Sequence, residues 1–107
     1  MHIVISRFTR PADADAASLK EKFEASAPIY RDLEGLIAKY YLMGTDQDDA
    51  GGVYVFASRE DADAWFTEEK IAWAIERFGQ IKLEHYDVPI SLTTSPPKII
   101  DHIKDLS

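Results

Sequence analysis

The chain has 107 residues and a formal net charge of −7, with 46% hydrophobic and 29% charged residues and no cysteine. This length accommodates one domain with its own core, and the composition is that of a globular rather than a disordered protein. The absence of cysteine excludes disulfides and thiolate catalysis. The acidic balance, with dispersed Lys and Arg, argues against a nucleic-acid partner.

Neither a membrane-spanning segment nor an export signal is visible in the sequence. No apolar run approaches the roughly 20 residues that a transmembrane helix needs. Residues 1–5 enter a strand directly, with no basic segment before them. We therefore expect a cytoplasmic protein that does not associate with membranes.

The first part of the chain predicts a strand, a helix and a second strand. Residues 2–8 are rich in β-branched side chains, which favours a strand. Residues 13–27 carry apolar side chains at spacings of three and four, which predicts an amphipathic helix. Pro28 is expected to end or kink that helix, and residues 29–33 are expected to form one further turn. Gly35 then begins the second strand.

A hairpin loop leads into a third strand that is apolar on both faces. Val53 and Val55 point one way, and Tyr54 and Phe56 point the other, because side chains alternate along a strand. One layer of helices covers only one face of a sheet. The other face is therefore predicted to contact a second copy of the protein.

The next part of the chain predicts a second helix and a fourth strand. Ser58 has the position of an N-cap for a helix over residues 59–69, which continues as one or two turns up to Gly79. Residues 80–88 alternate between apolar and polar side chains, which indicates a strand that Pro89 closes.

The order strand, helix, strand, strand, helix, strand is that of the ferredoxin-like α+β fold. This fold has a four-stranded antiparallel sheet with both helices on one face. We expect it over residues 1–90. Residues 91–107 are predicted to be a linker and a docking segment, in which the apolar stripe of residues 98–106 indicates a short C-terminal helix.

Three blocks of the chain resemble the YdhR-like monooxygenase family of the dimeric α/β-barrel superfamily. They are GLIAKYYL at residues 35–42, GGVYVF at 51–56 and SRE at 58–60, and the resemblance extends over about the first 90 residues. It implies a homodimer in which two sheets pack face to face into a barrel. It also implies one small-molecule pocket in each subunit, between the sheet and the helices.

The resemblance directs attention to polar-tipped side chains on the strands and the second helix. His85 is the candidate general base, because burial would lower the pKa of its imidazole and leave it able to accept a proton near neutral pH. Tyr54, with Tyr41, would orient a planar substrate. A purely structural role in the core is the alternative for His85 and for each aromatic residue. The further candidates for substrate contact are Tyr40, Trp65, Trp73, Lys39 and Arg59.

Together with these residues, the resemblance implies a cofactor-independent monooxygenase that acts on a small aromatic or enolisable molecule. The pocket would stabilise a substrate carbanion that reacts with dioxygen, so neither a cofactor nor a metal is expected. An isomerase or lyase that uses the same proton abstraction is one alternative, and a non-catalytic small-ligand-binding dimer is the other. The chain contains no asparagine. The haem-degrading branch of the superfamily and some quinone-forming monooxygenases rely on asparagine, which disfavours both mechanisms here.

Overall fold

A computed structural model describes residues 1–10, 15–45 and 48–105, without the side chains of residues 78 and 105. Its main sheet is antiparallel with the strand order β2–β3–β1–β4. The strands are β1 (His2–Thr9), β2 (Leu36–Met43), β3 (Asp49–Phe56) and β4 (Ile81–Asp87), and the helices are α1 (Ala16–Arg31), α2 (Arg59–Trp65) and α3 (Glu68–Phe78). The order and the pairing confirm the predicted ferredoxin-like fold.

The helices differ from the prediction at one place, the second helix, and the further turn expected after Pro28 is present. Pro28 lies inside α1, which continues to Arg31. It does so because the added turn carries Tyr30, which packs against the core. The predicted second helix is divided into α2 and α3, since the side chain of Thr67 caps a new helix by accepting from the backbone N–H of Lys70. None of the described helices has the length and apolarity of a bilayer-crossing segment.

The helix-facing side of the sheet forms the core. Val4 pairs with Tyr54 across β1 and β3, and His2 pairs with Phe56. Val4 and Phe56 are fully buried, and Ala62 of α2 packs against them. The predicted alternation in β3 is therefore confirmed, with Tyr54 and Phe56 on the helix side.

The opposite side of the sheet, here called the open face, carries no helix. Ile3 pairs with Val55 and Ile5 pairs with Val53, so four aliphatic side chains form its centre. Tyr40 of β2 lies opposite Val53. Its side chain is 60% exposed. The open face is thus apolar and accessible in the single chain.

The prediction of a C-terminal helix over residues 98–106 is wrong for the described residues. Ile90–Thr94 (β5) and Pro97–Asp101 (β6) form a separate two-stranded antiparallel sheet, followed by a 3₁₀ turn at Ile103–Asp105. The β-branched residues of this segment favour strands over a helix. Residue 106, which the predicted helix included, lies outside the described part of the chain.

Candidate functional site

A cavity of about 470 Å³ lies between the sheet and the helices, and we call it the central cavity. This volume is within the range of small-molecule sites. Every layer of the fold contributes to its lining. Among the lining residues are Ser6 of β1, Tyr54 of β3, Tyr30 of α1, Trp65 of α2 and Trp73 of α3, with Phe66 between the last two helices.

Local sequence places these side chains around the cavity. Ser6 and Tyr54 face the helices because each lies an even number of residues from a buried core residue of its strand, Val4 and Phe56 respectively. The Thr67 cap starts α3 directly after α2, so the two helices reach the cavity as separate walls.

The aromatic lining is held by edge-to-face contacts. The ring centroids of Tyr54 and Phe66 lie 4.9 Å apart with an interplanar angle of 86°. Those of Tyr30 and Trp65 lie 5.4 Å apart at 67°. Such pairs stabilise by about 0.5–1.5 kcal/mol beyond their burial. They therefore fix the directions in which the Tyr30 and Tyr54 hydroxyls point.

Three hydroxyl groups of the cavity act on one another. Burial is the largest cause that raises the pKa of Tyr54, hydrogen bonding to Tyr30 raises it further, and hydrogen bonding with Ser6 lowers it. Burial also raises the pKa of Tyr30, whereas its hydrogen bond with Tyr54 lowers it. The hydroxyls of Ser6, Tyr54 and Tyr30 therefore form a row of neighbouring polar groups, which we call the hydroxyl row.

The Tyr30 hydroxyl is the end of this row. Within the described part of the chain, Tyr54 is the one hydrogen-bonding neighbour found for this hydroxyl. Its raised pKa keeps it protonated near neutral pH. The central cavity therefore offers an O–H donor to an oxygen atom of a ligand.

Lys39 is enclosed by tyrosine rings next to this site. Its Nζ lies 3.4 Å from the ring centroid of Tyr30, 4.2 Å from that of Tyr41 and 4.5 Å from that of Tyr54. Burial lowers its pKa to about 7. Lys39 and Tyr41 line a second space of about 450 Å³, the α1–β2 cleft, which Tyr30 separates from the central cavity.

The structure brings some predicted site residues together and keeps others apart. Tyr54, Trp65 and Trp73 line the central cavity, and Lys39 and Tyr41 line the cleft beside it. Tyr40 does not belong to either space, because the alternation of β2 turns it toward the open face. Arg59 also lies outside both, at the start of α2, where its Nε is 3.7 Å from a carboxylate oxygen of Asp63.

His85 does not occupy the buried position that the sequence pattern indicated. It shares the helix side of β4 with Leu83, but it is exposed and lines neither space. Its Nδ1 lies 2.9 Å from Nε2 of His2. Partial burial, followed by the nearby charges of His2 and Arg59, lowers its pKa, while Asp63 acts in the opposite direction. The helix layer does not cover this end of β4, so His85 lies beside the core rather than in the cavity.

Sequence reasoning did not identify Ser6, Tyr30 and Phe66 as lining residues. The alternation Val4, Ser6, Phe8 in β1 was a sufficient signal for Ser6. Tyr30 was expected only as part of a further turn after Pro28, without a site role. Among the described residues, no group of three or more His, Asp or Glu side chains is arranged to hold a metal ion.

Comparison with known families identifies the chain. The sequence profile described as "Putative mono-oxygenase ydhR" matches residues 7–96. The chain belongs to this family. The family description indicates monooxygenase activity, in agreement with the enzyme class expected from the sequence. No functionally curated protein matches the chain by sequence.

Solved structures share the fold at low sequence identity. A mutant of MhuD, with two manganese protoporphyrin IX molecules per active site, has a TM-score of 0.67 and 19% identity over 87% of this chain and 99% of its own. A "putative antibiotic biosynthesis monooxygenase" from Deinococcus radiodurans has a TM-score of 0.67 and 13% identity over 87% and 97%. A mutant of SnoaB, a cofactor-independent oxygenase from Streptomyces nogalater, has a TM-score of 0.61 and 16% identity over 85% and 95%. These similarities establish the common fold.

Proposed function

We propose that this protein is a cofactor-independent monooxygenase that oxidises a small hydroxyaromatic or enolisable molecule in the central cavity. The observation that carries the proposal is the Tyr30 hydroxyl, a protonated donor at one side of an otherwise mainly apolar and aromatic space. SnoaB, which has the same fold, is described as a cofactor-independent oxygenase.

The hydroxyl row stabilises the anionic form of the substrate. Tyr30 donates to the substrate oxygen, and the neighbouring Tyr54 hydroxyl strengthens that bond when it donates to Tyr30. As the substrate loses a proton, negative charge develops on this oxygen. A donor that is already oriented stabilises the developing charge without reorganisation.

Glu69 replaces His85 as the proposed proton acceptor. Among the described residues that line the cavity, it is the one carboxylate. It lies in the first turn of α3, which Thr67 caps. A carboxylate at the cavity edge is able to take the proton and release it to solvent.

The substrate then supplies the electrons for the reaction. The anion transfers one electron to dioxygen, and the resulting radical and superoxide combine to form a C–O bond. Protonation gives a hydroperoxide, and loss of water converts a CH₂ carbon to C=O. One oxygen atom enters the product and the other leaves as water, so the balance requires only substrate and dioxygen.

Aromatic side chains give the cavity its shape preference. Trp65 and Phe66 provide ring surfaces on which a planar substrate packs, and Trp73 lies at the rim with 54% of its surface exposed. A bound ring system would cover Trp73 and exclude water from the anion, which strengthens the hydrogen bond from Tyr30.

The proposal includes a homodimer formed through the open face. Aliphatic side chains occupy the centre of this face, and Tyr40 is exposed on it. Polar groups lie on it as well: Arg7 Nη1 is 3.5 Å from Glu84 Oε1, and Tyr86 donates to Glu84 Oε2 at 2.8 Å. An apolar sheet face that no helix covers is typical of a protein–protein contact.

Oxygen consumption tests the proposed reaction. Protein that has been dialysed against chelator, with no flavin or metal added, is mixed with a panel of small hydroxyaromatic and 1,3-dicarbonyl compounds. We expect dioxygen uptake and one ¹⁸O atom in the product from ¹⁸O₂. Turnover without dioxygen would instead indicate an isomerase or lyase, and saturable binding without turnover would indicate a ligand-binding protein.

A further inference from the structure

We propose that Lys39 is a nucleophilic amine that binds small aldehydes or ketones covalently, as an imine, in the α1–β2 cleft. This site is separate from the central cavity, and the inference does not depend on the oxygenation proposed there. It rests on the surroundings of Lys39, on the shape of the cleft and on the charges that border it.

The amine of Lys39 contacts ring faces instead of acceptors. Its Nζ lies 3.4–4.5 Å from the ring centroids of three tyrosines. Within the described residues, no carboxylate oxygen lies within 4.0 Å of it. Lys20, by contrast, has its Nζ 3.5 Å from Glu24 Oε1. Lys39 therefore holds no salt bridge that would have to break before its nitrogen reacts.

Burial makes the neutral amine accessible near neutral pH. It lowers the pKa of Lys39 to about 7. About half of the side chains are then unprotonated at pH 7, compared with roughly one in a thousand or fewer for a lysine in water. The rings of Tyr30, Tyr41 and Tyr54, from α1, β2 and β3, favour the ammonium form. This effect of the rings opposes the effect of burial, so that part of the Lys39 population remains protonated.

The cleft has room for a small carbonyl compound. Its volume is about 450 Å³, and Ala27, Pro28 and Leu36 supply apolar surface. Glu24 and Arg31 border it with opposite charges. These charges give no net preference for an anion or a cation, so the geometry favours an uncharged aldehyde or ketone.

The reaction is balanced without an oxidant or a reductant. The nitrogen lone pair attacks the carbonyl carbon, and the carbonyl electron pair moves to oxygen. A proton passes from nitrogen to that oxygen to give a carbinolamine. Loss of water then forms the C=N bond, so one amine and one carbonyl group give one imine and one water molecule.

Reductive trapping tests this inference directly. Native protein is incubated with benzaldehyde and sodium cyanoborohydride, which reduces the imine to a stable amine, and peptide mass spectrometry gives the labelling rate at each lysine. Lys70 is the matched control, because its Nζ also lies 3.4 Å from a ring centroid, that of Trp65, but it is exposed.

We expect Lys39 to react at least about tenfold faster than Lys70 at pH 7, because burial favours the neutral form of Lys39. Its rate should level off above about pH 7. Unfolding in urea should remove the difference. Equal rates at the two lysines in the native protein would overturn the inference, as would an unchanged preference after unfolding. Both readouts are independent of oxygen consumption.

Discussion

His2 Nε2 lies 2.9 Å from His85 Nδ1, and the other nitrogen of the His2 ring lies 3.1 Å from Oδ1 of Asp87. His2 itself is only 1% exposed. The three side chains therefore form a polar row that joins β1 to β4 at the edge of the core. The position of His85 in this row explains why it does not reach into the central cavity.

The row of His2, His85 and Asp87 predicts that the stability of the protein depends on pH. The pKa of His85 is lowered from its ordinary value of 6.5 in the folded protein, so the unfolded chain binds more protons below about pH 7. Stability should therefore fall as the pH decreases through about 6.5 and below. We expect the urea midpoint to decrease between pH 7 and pH 5.5 in the wild type, and to decrease less in His85→Gln. The carboxylates with lowered pKa, such as Glu84, titrate below this window. Equal slopes for the two proteins would contradict the assignment.

Two variants separate the proposed proton acceptor from the one that the sequence suggested. Glu69→Gln retains the shape of the side chain but removes its basicity, so we expect kcat to fall by about 100-fold. His85→Ala should leave kcat within about twofold, because His85 lines neither cavity nor cleft. Steady-state oxygen consumption gives both values. The opposite ranking would restore His85 as the base.

Much of the fold could be predicted from the sequence because the relevant patterns are local. The alternation at Val53 to Phe56 correctly predicted two apolar faces, and Ser58 caps α2 as expected by accepting from the backbone N–H of Asp61. A further turn after Pro28 was also expected, but the continuity of α1 through Pro28 up to Arg31 was not fixed by the local pattern. Whether a helix continues after a proline depends on the packing of the following turn, here Tyr30, against distant residues.

The candidate site could be predicted from the sequence only in part. Tyr54 and Trp65 were found because an aromatic residue on a core-facing strand or helix has few other places to lie. His85 also lies on the predicted face of its strand. Its exposure, however, depends on how far the helices extend over β4, and strand periodicity does not contain that information. The hydroxyl row of Ser6, Tyr54 and Tyr30 arises from three separate elements that only the tertiary fold brings together.

If the dimer forms through the open face, a charged side chain at position 40 should disrupt it. Its side chain is 60% exposed in the single chain, so Tyr40→Glu should not disturb the fold of the subunit. It would place a charge in an apolar contact. We expect the wild type to sediment as a dimer at micromolar concentration and Tyr40→Glu to sediment as a monomer. Ile29→Glu is the control, since Ile29 is also 60% exposed but lies on the helix side. A monomeric wild type would refute the dimer.

Close packing of β1 against β3 predicts a large effect at Gly51. A Cβ atom at this position would overlap the backbone carbonyl oxygen of Ser6, which has no flexible end that could move away. We expect Gly51→Ala to lower the free energy of unfolding by about 3 kcal/mol, measured by urea denaturation. Gly79→Ala should cost about 1 kcal/mol, since Gly79 has φ of +80° but a Cβ there meets no described atom within 4 Å. Similar losses in both variants would contradict the packing argument.

The most direct test of the proposed function is the kinetic effect of Tyr30→Phe. This change removes one hydroxyl that donates to the substrate oxygen and retains the ring that packs on Trp65. For any compound that supports cofactor-free oxygen uptake, we expect kcat/KM to fall by about 100- to 1000-fold, mainly through kcat, because the donor acts on charge that develops during the reaction. Tyr86→Phe, which removes a hydroxyl from the open face, should retain kcat/KM within about twofold. A Tyr30→Phe variant that is as active as Tyr86→Phe would show that the hydroxyl row does not stabilise the reacting anion.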